Sequence, residues 1–433
     1  MFGRKRQQRE TAGGGNRQSP WMLARMRLRQ HRPAMWSLRI LAVLLFIALF
    51  ADFIANVRPI YCRIEGRHYF PVVKQYAVSL GLSNWSPPFN GNNWRELNYE
   101  KALMPLIPYS ANTIDVYNGN YAGPFGRQRV KSARYRHWLG TNRVGHDVAA
   151  GLVAGTRTAM LVGVVAMALA TFIGILLGSL AGYFGDRRLR LSRAAVLLYS
   201  LGLAAGIYYA FIARSAAWLD GHLLVEIAKS AGILVLCLGF AHFLIKWPAR
   251  LPILSKKIQL PVDAIVVRLI EVLNAIPTLL LILSIVVLIR RPSIFYVMAI
   301  IGLVRWTGIA RFVRGELLRV RQLGYIEAGR ALGFSEWRIL WRHALPNALS
   351  PVLIAIAFGV ANAILLEAFL SFLGIGVSVD TVTWGTLLNE ARSQPKAWWL
   401  AFFPGFAIFI SVTIFNLLGE GLNEALNPRL HKM

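Results

Sequence analysis

Long apolar runs, almost without charge, alternate along this chain with short basic segments. Eight runs approach the length needed to cross a ~30 Å hydrocarbon core, which takes about 20 helical residues. They cover residues 38–57, 158–184, 194–213, 230–245, 270–289, 294–310, 348–369 and 399–418, the fourth and sixth being the shortest. In hydrocarbon a chain must satisfy its own backbone hydrogen bonds, so such runs specify helices. The pattern predicts an all-α integral membrane protein, polytopic, with about eight transmembrane helices.

The basic segments orient these spans, because Lys and Arg of short loops stay on the cytoplasmic side. Residues 1–37 form a basic tail, and up to residue 39 the chain carries ten Lys or Arg and one acid, Glu10. No small-residue cleavage site precedes residue 38, so the tail reads as cytoplasmic rather than as a signal peptide. Alternation then keeps Arg187, Arg188, Arg190 and Arg193 inside, followed by Lys246, Arg250, Lys256 and Lys257, and by Arg311, Arg314, Arg319 and Arg321. Both termini are expected in the cytoplasm.

The loop at 58–157 falls outside and is too long for a simple connection. It is rich in aromatics (Tyr61, Tyr69, Phe70, Tyr76, Trp85, Trp94, Tyr99, Tyr109) and in turn formers such as Pro87-Pro88 and Asn90-Gly91-Asn92-Asn93. It reads as a small extracytoplasmic subdomain lying on the membrane. Its basic cluster, Arg127, Arg129, Lys131, Arg134 and Arg136, reads as a solvated or lipid-headgroup-facing stretch, with an acidic partner as the alternative.

Composition agrees with the pattern. Of 433 residues, 56% are apolar and 16% charged, with a mean hydropathy of +0.48. A soluble domain has about 25% charged residues, so disorder and a disulfide-rich secreted fold are excluded. The formal net charge is +28. In a soluble protein that would suggest nucleic acid, but the uncharged runs oppose that reading and membrane topology accounts for the charge. Cys62 and Cys237 form no C-x-x-C or zinc spacing, so neither a metal nor redox chemistry is indicated.

No chemistry of catalysis stands out, and no cofactor is expected. Gly140 and Gly145 have the spacing of a phosphate loop, but His146 stands where its lysine belongs. His343 is expected to pack within a helical stretch. A rival reading, an integral-membrane enzyme acting at the outer face through the 58–157 loop, requires a clustered His, Asp, Glu or Ser constellation there. Within the spans, Gly174, Gly178 and Gly182 recur every four residues and permit close helix approach. Glu367 is a candidate for lining or gating a pathway, or for a structural pair with Arg290 or Arg291. Arg305 is expected to snorkel to the inner interface.

The segment that carries function lies at 311–347. Tyr325-Ile326-Glu327-Ala328-Gly329-Arg330-Ala331-Leu332-Gly333, nine residues, then His343-Ala344-Leu345-Pro346 resembles the E-A-A-x-x-x-G-x9-I-x-L-P loop of bacterial ABC importer permeases. Gly329 replaces the second alanine and His343 the isoleucine. Small residues allow a short surface helix to sit in a partner's groove, Gly333 suits a turn that ends it, and Pro346 suits the start of the next helix. His137-Trp138-Leu139-Gly140-Thr141-Asn142-Arg143-Val144-Gly145-His146-Asp147-Val148 resembles the segment before the second span in the oligopeptide/dipeptide/nickel class, with Asn142 and His146 replacing an aspartate and an arginine. Gly155-Thr156-Arg157, Glu367 to Gly374, Thr383-Trp384-Gly385, Phe403-Pro404-Gly405 and Gly419-Glu420-Gly421-Leu422 extend the match. The chain is most similar to the C-type subunit, in particular to Yej-type peptide and microcin C permeases.

The resemblance implies a type I ABC importer permease fold in a bacterial inner membrane. It also implies four kinds of partner: a second homologous permease, two cytoplasmic ABC ATPase subunits, an extracytoplasmic solute-binding protein and the surrounding lipid. The coupling helix, carrying Glu327, Ala328, Gly329 and Gly333 ahead of Leu345 and Pro346, is expected to dock on the ATPase. Peptides are favoured as solute over nickel and other small solutes. The usual permease of this class has six spans, and its Gly-Tyr-Phe-Gly runs almost directly into an Asp-x4-Arg segment. Here about 75 residues separate Gly185 from Asp263, which implies a two-helix insertion at about 188–260 within the 158–430 permease domain.

Overall fold

A computed structural model describes residues 20–426, apart from 86–88, 90–93, 95–96, 216, 218–222, 246, 249–250, 290–291 and 379. Helix α1 (Pro20–Gln30) leads into α2 (Arg32–Leu49), which His31 caps by accepting the Ala34 N–H at its Nδ1, 3.1 Å away.

The loop that follows holds a three-stranded antiparallel sheet in the order β2-β1-β3: β1 (Tyr61–Ile64), β2 (Arg67–Tyr69) and β3 (Lys101–Leu103). Glu65 and Gly66 both take positive φ in the two-residue turn between β1 and β2, as a hairpin of this twist requires. Helix α3 (Pro71–Ser79) follows. Phe89 stacks on Trp94 at 4.9 Å, and the Arg58 guanidinium lies over Trp85 and Trp94. The turn formers at 87–88 and 90–93 lie outside the described residues.

After this loop comes α4 (Val148–Ser179), whose last turns widen into a π-helix ending at Phe184. Next come α5 (Arg193–Ile207), α6 (Leu223–Leu244), α7 (Val262–Ala275), α8 (Thr278–Val287) and α9 (Ile294–Val320). After the short α10 (Gly324–Ala331) follow α11 (Ser350–Phe372), α12 (Trp384–Ser393) and α13 (Trp399–Leu426).

Six helices among the described residues are long and apolar enough to cross a membrane: α2, α4 with its π-turns, α5 extended to Ile212, α9, α11 and α13. The expected span at 270–289 is instead broken. Helices α7 and α8 meet at 81° across Ile276-Pro277, and counting them as one bent span brings the number to seven. Proline supplies no N–H and pushes its predecessor out of helical backbone, so an apolar run can still break there. The run at 230–245 is helical, but its apolar stretch, Ala228–Leu244, is too short to meet the same length criterion, so the expected eighth span is not established. The run at 294–310 continues as helix to Val320, past Arg311, Arg314 and Arg319.

The core is a seam between α4 and α9. A Cβ on Gly174 would lie 2.6 Å from the Ile309 Cβ, one on Gly178 2.6 Å from the Ala310 carbonyl oxygen, and one on Gly182 2.7 Å from the Arg314 carbonyl oxygen. Only glycine permits that approach. Contacts advance in step along both helices, from Gly302 beside Ala166 to Leu317 beside Gly182, so α4 and α9 run parallel.

Helices α5 and α6 instead form an antiparallel hairpin. Its base is a two-stranded sheet of β4 (Arg190–Ser192) and β5 (Lys257–Gln259), with Arg190 opposite Gln259 and Ser192 opposite Lys257. Leu260 N–H donates to the Leu189 carbonyl at 2.9 Å, so the chain leaves and re-enters the bundle at one point.

Candidate functional site

At one end of the bundle, α10 stands off the end of α9. Its C-terminus closes in two backbone bonds: Gly333 N–H donates to the Arg330 carbonyl at 2.9 Å, and Phe334 N–H to the Gly329 carbonyl at 3.1 Å. This is the Schellman pattern, and it needs the left-handed φ of +76° that Gly333 supplies. Ile326 and Ile339 are buried beneath the helix, while Glu327 and Ala328 face outward. A Cβ at Gly333 would meet nothing within 4 Å. Around these positions Tyr325, Leu332, Trp337 and Trp341 are exposed. Gly329 is buried, but a Cβ there would lie 3.7 Å from Ile339, an ordinary contact, so the departure from alanine leaves the helix packing unaltered.

The segment is fastened to the end of α4. Tyr183 donates its hydroxyl to Glu336 Oε2 at 2.5 Å, and Arg330 Nε donates to Glu336 Oε1 at 3.0 Å. Leu345 is buried, and Pro346 is exposed in the first turn of the short helix leading to α11. His343 stacks on Phe334, with rings nearly parallel at 6.0 Å, and its buried Nε2 makes no hydrogen bond among the described residues. Beside α10 lies a cavity of about 570 Å³ lined by Asp186, Arg187, Arg188, Asp263, Arg321 and Arg330. Asp263 forms a two-pronged pair with Arg314, at 2.8 Å on one prong, and Asp186 Oδ1 accepts the Ala264 N–H at 3.0 Å. Burial, together with nearby Arg188, pushes the Arg321 guanidinium below its ordinary range.

The other end carries the loop subdomain. Glu367 is buried and accepts the Ser371 hydroxyl at 2.6 Å, with Thr383 a second partner. The next residue, Ala368, packs against α12, where a Cβ on Gly385 would strike the Ala368 carbonyl oxygen at 2.3 Å. Arg290 and Arg291, the expected partners of Glu367, lie outside the described residues. A cluster that sequence reasoning missed sits where α4 starts. His137, fully buried, bonds to Asp147 Oδ2 through Nδ1 (2.7 Å) and to Asp115 Oδ2 through Nε2 (3.1 Å). Asp147 also caps α4 by accepting the Ala150 N–H at 2.7 Å. Burial works against ionisation of Asp115, but hydrogen bonds from Asn118 and His137 outweigh it and hold the carboxyl below its ordinary range. Asn142 Oδ1 accepts the N–H groups of Val144, Gly145 and His146, and its Nδ2 donates to Glu390 Oε1 at 3.1 Å. The one available signal was the helix-capping position of Asp147, ten residues after His137.

Between the two ends, a cavity of about 650 Å³ opens among α4, α7, α8, α9, α11 and α13. Arg305 lines it, together with Asn274, Thr278, Thr307, Arg311 and Asn423.

The family described as binding-protein-dependent transport system inner membrane component matches residues 251–432, and the N-terminal TM domain of oligopeptide transport permease C matches residues 19–65. Similar chains include the glutathione transport system permease protein GsiD of Pectobacterium atrosepticum, 30% identical over 75% of this chain and 80% of that one. The inner membrane ABC transporter permease protein YejE of Escherichia coli is 28% identical over 95% and 98%. The dipeptide transport system permease protein DppC of Bacillus subtilis is 27% identical over 68% and 70%. These are transport proteins, which sets aside the enzyme reading of the 58–157 loop.

Proposed function

The chain belongs to the family of binding-protein-dependent transport system inner membrane components, and on that premise we propose how it performs its part of peptide import. It is a permease subunit of an ABC importer in the inner membrane, of a family that works with ATPase and solute-binding subunits. In our reading it forms half of the pathway, a second homologous permease forms the other half, two ATPases dock in the cytoplasm and a binding protein docks outside. Peptides are the favoured solute, since similar chains include dipeptide and glutathione transport system permeases.

The α10 end, with Arg311, Arg314, Arg319 and Arg321, is assigned to the cytoplasm and the loop subdomain to the outside. Because α4 and α9 run parallel, an odd number of crossings separates them. The bent α7–α8 pair supplies one, and the α5–α6 hairpin adds two or none. Either way, α10 emerges on the side where α4 ends, and both termini lie on that side.

The observation that carries the docking assignment is the outward face of α10. Glu327, Ala328 and Gly333 present small or negative surface amid exposed Tyr325, Leu332, Trp337 and Trp341, on a base held rigid by Tyr183, Glu336 and Arg330. ATP-driven closure of the ATPases would move this base and, through Tyr183, the end of α4. Substrate must bias the two states of the pathway differently for transport to follow.

The test is co-purification of the ATPase together with solute uptake for Glu327→Lys and Gly333→Asp, with Leu236→Ala on the hairpin as control. An unpaired charge buried at an interface costs several kcal/mol, so both variants should insert normally yet lose the ATPase by orders of magnitude. Normal uptake and normal ATPase retention in both would refute the assignment.

A further inference from the structure

Arg305 lies eleven residues after the start of α9, about 16 Å along it at 1.5 Å per residue, within a helix long and apolar enough to cross a ~30 Å core. A charge within such a span is costly, and it is kept there where it faces protein or a watered cavity rather than lipid. Arg305 faces the 650 Å³ cavity and forms no ion pair or hydrogen bond among the described residues. Arg311 lines the same space, and no Asp or Glu among the described residues does. The polar lining is otherwise neutral: Asn274, Thr278, Thr307 and Asn423. Thr307 Oγ1 donates to Asn274 Oδ1 at 3.3 Å, which orients that amide and leaves its Nδ2 without an acceptor among the described residues. The break at Ile276-Pro277 also brings Thr278, the first residue of α8, to the cavity wall, so a helix end with positive partial charge adds to the two arginines.

A space with two cations, donors and no acid is built for an anion. We propose that this cavity is a carboxylate-binding site on the transport path, in which Arg305 engages the C-terminal carboxylate of a passing peptide. The planar guanidinium matches a carboxylate with two parallel N–H···O bonds, which a lysine ammonium cannot reproduce. Asn274 Nδ2 is the second donor, and Arg311, about 9 Å further along α9, supplies charge at the exit side rather than the same contact. The proposal rests on the peptide-import reading and deepens it: the permease itself, and not only a binding protein, favours solutes bearing a carboxylate.

The experiment is uptake by the assembled transporter in proteoliposomes, with trialanine and trialanine amide as paired probes and one binding protein throughout. The readout is the acid-to-amide uptake ratio for wild type, Arg305→Gln, Arg305→Lys and the hairpin variant Leu201→Ala. Losing a hydrogen bond to a charged group is worth roughly 10- to 100-fold, so Arg305→Gln should cut the ratio by about that factor. Amide uptake and the amount of assembled complex should stay unchanged, Arg305→Lys should fall between, and Leu201→Ala should match wild type. An unchanged ratio in Arg305→Gln overturns the carboxylate site while leaving peptide import intact. If wild type carries neither probe, the peptide reading fails and this site fails with it.

Discussion

Two helix pairs in this chain use the same sequence device, glycines four residues apart, with different consequences. In the α4–α9 seam, Gly174, Gly178 and Gly182 meet a helix more than 100 residues away, and what they meet is largely backbone. In the α5–α6 hairpin, Gly202 and Gly206 meet the next helix. A Cβ at Gly206 would lie 2.9 Å from Leu234 Cδ2, the far end of a side chain that can turn aside, while one at Gly202 would lie 2.8 Å from the Ala241 Cβ and 3.1 Å from the Cys237 carbonyl oxygen. The seam is enclosed by α11 and the π-turns of α4, whereas Leu201, Leu203, Leu236 and Phe240 leave the hairpin's outer faces exposed. Glycine spacing therefore reports close approach but not importance. Importance follows from whether other helices depend on the contact.

The sharpest way to break this contrast is Gly178→Leu. Its Cβ would overlap the Ala310 carbonyl and Val313, and overpacking of this kind costs ~1–3 kcal/mol or more. We expect most folded protein to be lost, read as the monodisperse fraction in detergent. Recovery at wild-type level would show that the seam can open.

Next in size is Asp263→Ala, which strips Arg314 of its two-pronged partner where the hairpin's base joins the seam. The pair is partly exposed, so after screening we expect about 1 kcal/mol, seen as a drop of a few degrees in Tm. Gly206→Leu should shift Tm less than Asp263→Ala does, and a larger effect would place the hairpin within the core.

A fourth test concerns the head of α4. Asp115 is held below its ordinary range, so it stabilises the fold at pH values above the unfolded carboxylate's, about 3.9, and that contribution disappears as pH falls through its lower folded value. Between pH 5 and 3, tryptophan emission of the loop should therefore change in wild type and change less in Asp115→Asn. Identical profiles would remove Asp115 from the account.

The smallest effect should come from the largest change. Deleting residues 190–259 and joining Leu189 to Leu260 through Gly-Gly replaces the β4–β5 ladder with a two-residue hairpin turn. We expect assembly and uptake within about twofold of wild type. Loss of pairing with the second permease would make the hairpin part of the functional core.

Most of the helical framework was legible because burial in lipid imposes length and apolarity at once, as in α4, α11 and α13. The break at Ile276-Pro277 was not, because hydropathy is blind to a missing N–H. The extension of α9 past Ala310 was hidden by its arginines, which mark exit from the membrane and not the end of the helix. The segment around α10 could be read because Glu327, Gly333 and Pro346 fall at the spacing of a family motif, and because Gly333 also sits where the helix end needs a positive φ. Asp115 joins His137 and Asp147, and Arg305 comes near Asn274, only through tertiary folding, so beyond the capping position of Asp147 no spacing announced them.

The most direct test of the central claim, that coupling runs through α10 and not through the hairpin, is photocrosslinking in the assembled importer. A crosslinker placed at Ala328 should give an adduct with the ATPase subunit, and one placed at Leu201 should give none. An ATPase adduct from Leu201 with none from Ala328 would contradict the account.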